Sequence, residues 1–143
     1  MQLIRFIVTN HMNKRLEQRT RAFRFPVGGE TMRLLYCGER GWAWHNRDGV
    51  VMGEVFPQSD GSAAFVAKTI LTTKQFDSVV SPARTGHPLC WREYTVREIA
   101  HMDSAKEEGL QLKKTLPAPE NWSKCSSLNC SMLTFSSSTL ITG

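Results

Sequence analysis

Between Met32 and Ile70 the chain alternates short apolar runs with turn residues. "MRLLYC" is followed by "GERG", "WAWH" by "NRDG" and "VVMGEVF" by "PQSDGS", and "AAFVAKTI" completes the series. Short β-prone runs separated by Asp-Gly and Gly-rich turns predict a four-stranded antiparallel β-meander over roughly residues 32–70. With Asp48 and Gly49 at the centre of the second hairpin, Trp44 faces Gly53, Trp42 faces Val55 and Asn46 faces Val51. Both tryptophans then share a face with Val51, Gly53 and Val55, and an even change of loop length alters the partners without altering the face. The opposite face collects Ala43, His45, Arg47, Val50, Met52, Glu54 and Phe56 and is more polar. Buried indole supplies core area first, so the tryptophan face is assigned to the core, under a helix, rather than to a ligand.

Two helical patterns flank the meander. After a β-prone opening stretch, Met1 to Thr9, Asn10 offers a cap. Met12, Leu16 and Phe23 follow at helical spacing, and Glu17 and Arg21 fall at i,i+4. A basic N-terminal helix is therefore expected over roughly residues 11–23, ended by Pro26. Further on, Thr95 and Glu98 have the spacing of a capping box, Val96, Ile99, Ala100, Met102 and Ala105 give an apolar face, and Gly109 suits a C-terminal cap. This predicts a second, covering helix over roughly residues 96–108. The stretch between Thr72 and Trp91, interrupted by Pro82, Gly86 and Pro88, reads as a loop with one short element. The expected fold class is thus α+β, with one domain over residues 1–114. Residues 115–143 read as a linker through Pro117 and Pro119 and a tail. The tail from Asn121 has ten Ser and Thr among 23 residues and a single charge, Lys124. It reads either as a weakly specified strand or as a disordered, association-prone segment.

Composition changes this picture little. A hydrophobic share of 41% and a charged share of 22% over 143 residues are ordinary for one globular domain. No apolar run is long enough for a membrane span, and the first residues lack the features of a signal peptide. A cytoplasmic protein is the resulting expectation, with Cys37, Cys90, Cys125 and Cys130 as reduced thiols.

Charge changes it more. The net charge is +5, and residues 10–25 carry Lys14, Arg15, Arg19, Arg21 and Arg24 against Glu17 alone. Such a concentration suits phosphate contacts, which give salt-dependent affinity without base readout. Phe23 and Phe25 interleave with Arg24 in a way that suits base stacking, although anchoring the helix to the core is the simpler assignment.

Other chemistry is weakly signalled. His87 and Cys90, with Cys125 and Cys130, offer four zinc-type ligands, but the spacing matches no common finger. His45 and Glu54 share the polar face of adjacent strands, as an acid–base pair or a plain cross-strand contact. No nucleophile elbow, zinc-protease helix or phosphate loop occurs. The expectation is a small basic binding module without cofactor or metal. Lys14, Arg15, Arg19, Arg21 and Arg24 would contact nucleic acid. The alternative is an inhibitor or adaptor using the same residues on an acidic protein partner. Unprotected β edges leave a homodimer open.

Overall fold

The computed structural model describes residues 1–19 and 23–122, with the backbone alone for Arg19. The tail discussed above therefore lies outside the described residues from Ser123 onward. Six strands form a closed barrel in the order β1-β5-β4-β3-β2-β6. They are β1 (Leu3–Val8), β2 (Thr31–Tyr36), β3 (Trp42–Asn46), β4 (Gly49–Pro57), β5 (Ala63–Leu71) and β6 (Trp91–His101). Three short helices accompany them: α1 (Asn10–Arg19), α2 (Thr73–Gln75) and α3 (Met102–Glu107). A wider helical turn, Phe76–Val80, continues α2.

The expected α+β fold with a four-stranded meander is corrected: the structure is a mostly β closed barrel with three short helices. The meander's strands exist as β2 to β5, but they are two-thirds of a barrel rather than an open sheet. Closure comes from β1, which lies parallel to both β5 and β6. Five of its six residues are buried, as a parallel strand covered on both faces requires. Ile4, Phe6 and Val8 point into the barrel, while Ile7 packs outward against Ala64, Val66 and Ala105.

The predicted covering helix over residues 96–108 is the second correction. Trp91–His101 is a strand, antiparallel to β2 and parallel to β1, and Tyr94 and Val96 face the interior. A register shift opposite Ile4 and Arg5 then leaves Arg97 as an extra residue. Thr95 and Glu98 do not cap anything: the Thr95 amide donates to the Gln2 carbonyl. Only Met102 to Glu107 turns helical. That helix stops where Gly109 adopts φ 85°, its amide donating to Lys106 O at 3.0 Å and the Leu110 amide to Ala105 O at 3.0 Å. This is a Schellman ending, in which a left-handed glycine satisfies the last carbonyls.

Within the second hairpin the pairs are Trp42 with Gly53, Trp44 with Val51 and Asn46 with Gly49. The register is two residues from the expected one, because Arg47 and Asp48 form the turn. Asn46 Oδ1 accepts from the Asp48 and Gly49 amides at 2.8 and 3.0 Å, which fixes that turn. The shift is even, so the faces are unchanged. Trp42 is fully buried inside the barrel and Trp44 half-buried at its rim.

The barrel's two ends are closed differently. At one, α1 inserts Met12 into the interior, and Phe23 and Phe25 pack beside it. At the other, Leu116 packs against the core and its amide donates to Val55 O at 2.8 Å. Outside, Phe76 and Val80 cover Leu35, Ala43, Val50 and Met52.

One charge is buried under α3. Arg5 points outward from β1, its Nη2 2.8 Å from Glu108 Oε1 and its Nε 3.4 Å from Glu98 Oε1. The second contact is an ion pair without hydrogen-bond geometry, and Nε has no hydrogen-bond partner. Arg5→Met is expected to cost about 1–2 kcal/mol, below the figure for splitting a fully buried pair, because the half-exposed carboxylates rehydrate. Urea denaturation would measure it. Amide exchange should speed up selectively in α3, and uniform exchange would contradict this account.

Candidate nucleic-acid interface

The helix α1 begins where the Thr9 hydroxyl accepts from the Met12 amide at 3.0 Å. Thr9, not Asn10, therefore supplies the side-chain cap, and its hydroxyl also donates to Ala67 O at 2.9 Å. That second bond ties the helix start to β5. Met12 and Leu16 are one turn apart on the side facing the barrel, and both join its core. Lys14, Glu17 and Gln18 are left outward. Lys14 is exposed, and Arg15 is half-buried with Nε donating to His11 Nε2 at 3.3 Å.

Arg24 is held by its backbone. Its amide donates to Asp48 Oδ2 at 2.9 Å, and its carbonyl accepts from Asn46 Nδ2 at 3.2 Å. The segment after α1 is thereby clamped to the tip of the β3–β4 hairpin, and both Arg24 and Arg47 are exposed there. Val8 of β1, Ile70 of β5 and Val51 of β4 lie at the same end of the barrel, so α1 and this hairpin tip share one end. Lys14, Arg15, Arg24 and Arg47 form no ion pair among the described residues. Asp48, the exposed Glu17 and Asp77, which acts on His45 two residues before Arg47, are the acidic groups of this region.

Three of the five cations picked out by charge, Lys14, Arg15 and Arg24, are thus on one end of the molecule. Arg19 ends α1, and Arg21 lies outside the described residues. Arg47 was absent from that set; its signal was only the turn sequence "NRDG", which says nothing of what lies beside it. Phe23 and Phe25 are anchors. Phe25 meets Phe6 edge-on at 5.9 Å, and Phe23 meets Trp44 at 6.1 Å.

The remaining candidates do not assemble into a catalytic set. His45 pairs with Val50, and Glu54 lies four residues further along β4, about 13 Å away at strand rise. Burial beside Phe76 depresses the His45 pKa, with Asp77 acting against that shift. Burial raises the Glu54 pKa, partly offset by Lys68. The Cys37 thiol is pushed up to about 12 by burial and is an inert core group. Cys90 donates to Asn121 Oδ1 at 3.2 Å, while His87 stacks on Trp122 at 4.2 Å. Among the described residues no three His, Cys, Asp or Glu side chains gather as a metal set, and no helix is long and apolar enough to cross a membrane.

Compared with models of protein families, with curated proteins and with solved structures, the chain matches none of them.

Proposed function

We propose that this protein is a small binding module that contacts nucleic acid through the basic end formed by α1 and the β3–β4 hairpin tip. The observation that carries the reading is how α1 docks. Its apolar side enters the barrel and Lys14 faces solvent, and the clamp on Arg24 puts Arg24 and Arg47 at the same end of the barrel. A barrel end on which cations outnumber acids attracts a phosphate backbone and holds it without reading sequence.

The test replaces Lys14, Arg24 and Arg47 together with Ala. All three are exposed, so the fold should survive, which an unchanged thermal midpoint would verify. Binding to a mixed-sequence oligonucleotide should weaken. The slope of log affinity against log salt should fall by about 2–3, since each lost phosphate contact removes about 0.7–0.9. Equal affinity and slope for the variant and the native chain would reject the proposal. An acidic protein partner would then be the better account of the same surface.

A further inference from the structure

The barrel's side carries an exposed aromatic site that the basic end does not explain. Trp91, the first residue of β6, is 38% exposed, and its neighbour Leu89 is 53% exposed. Together with Cys90, Arg92, Pro119, Glu120 and Asn121 they line an open cleft of about 530 Å³ between the start of β6 and the segment that follows α3. That volume is within the range of about 300–1,000 Å³ usual for ligand pockets. The Trp91 ring is held in place on two sides. The Arg33 guanidinium lies 4.5 Å from its centroid, itself paired with Glu93 at 3.1 Å, and the His45 ring lies 6.2 Å away. The guanidinium covers one face of the indole, and the 38% of the residue left in solvent is the part against which a flat π system can stack.

Its position relates it to the basic end. His45 and Arg47 follow Ala43 on the outer side of β3, and Ala43 and Trp91 both pair with Leu35 of β2. From the level of Trp91 to the hairpin tip is therefore about 13 Å along the strands and, with β2 between, about 10 Å across them, or about 16 Å in all. Five nucleotides cover that distance even at the stacked rise of about 3.4 Å. We infer that the nucleic acid is single-stranded, with an unpaired base stacked on Trp91 in this cleft and its flanking phosphates running past Arg47 to the end formed by α1. Arg92 supplies a further cation at the cleft, and Glu120 and Glu93 are the acidic groups there. A duplex keeps its bases stacked on each other and offers Trp91 nothing to stack on. The inference rests on the reading above and sharpens it from nucleic acid to unpaired nucleic acid.

The test is a comparison of Trp91→Ala and Trp91→Phe, with oligo(dT) and a blunt duplex of equal length as probes at one salt concentration. Trp91→Ala should weaken oligo(dT) binding about 5- to 150-fold, the range for losing one stacked base, and leave duplex binding and the salt slope unchanged. Trp91→Phe should recover much of that loss, which a purely structural role for the ring would also permit. The duplex control and the unchanged salt slope separate the two. Oligo(dT) affinity unaltered in Trp91→Ala, with the Lys14, Arg24 and Arg47 triple variant still impaired, would overturn the stacking site and leave the basic end standing. No binding of either probe by the native chain would overturn both.

Discussion

Replacing Trp42 by Ala should destabilise the protein by about 3–5 kcal/mol, the range for truncating a large buried aromatic. Trp42 is 1% exposed and belongs to the interior cluster with Phe65, Val55 and Tyr94. It also meets Tyr36 at 5.0 Å between ring centroids. A barrel of paired strands cannot contract to fill the vacated space without breaking its ladders, so most of the cavity should persist. Small domains have only about 5–15 kcal/mol of stability in total, so the variant should be partly unfolded near 37 °C. Trp44→Ala is the control, and it should lose less because Trp44 keeps part of its surface in water. Urea titration followed by circular dichroism measures both. A Trp42→Ala loss below about 1 kcal/mol would show that the ring is not a core element.

Gly53→Ala should also be damaging, for the opposite reason. Gly53 pairs with Trp42 across the β3–β4 ladder. A methyl group there would come 2.3 Å from the Val66 carbonyl oxygen and 2.9 Å from the Phe65 ring. The nearest obstacle is backbone in the neighbouring strand, so no side chain can swing aside to relieve it. The register of β4 and β5 shifts at this point, from Met52 with Thr69 to Gly53 with Ala67, leaving Lys68 over. Bulge and glycine together let the strands approach where the barrel bends. Adding the methyl should cost at or above the usual about 1–3 kcal/mol of overpacking. Gly61→Ala separates steric from conformational effects. Gly61 has φ 87° but open space around it, so only the left-handed penalty of about 1–2 kcal/mol applies. A Gly53→Ala loss below about 1 kcal/mol would mean that close approach at Gly53 contributes nothing.

The pairing of the tryptophan face with Gly53 was readable from the chain because alternation and turn chemistry are local. β2 to β5 were found for the same reason, and a two-residue error in register left their faces intact. β6 was not found. Thr95-Val96-Arg97-Glu98 has the spacing of a capping box, yet Trp91, Tyr94, Thr95, Val96 and Ile99 are also strand formers, and pairing with β1 and β2 decided between them. The same spacing at Thr72 to Gln75 does cap a helix. There the Thr72 hydroxyl accepts from the Gln75 amide at 3.1 Å, and the Gln75 side chain accepts from the Thr72 amide at 3.0 Å. Two similar tetrapeptides thus ended in different structures, one beside an open strand edge and one not. Closure itself leaves no local trace, since β1 finds its partners some 60 and 90 residues along the chain. At the candidate interface, the charge of residues 10–25 was legible. The hairpin clamp that adds Arg47, and the exposure of Trp91, were not, because both depend on distant segments meeting.

The place of β1 has a consequence for how the chain reaches this state. Of the six barrel strands it is made first, and its slot is not complete until β5 and then β6 have been made. Until then "LIRFIV" is an apolar edge with both sides unpaired, and the β2–β5 portion is a curved sheet with an open seam. Long-range parallel pairing of this kind is slow, because the loop entropy is lost before the contacts are gained. Closure of the barrel must therefore wait for β6, and the interval before β6 arrives is when two such chains can pair with each other instead.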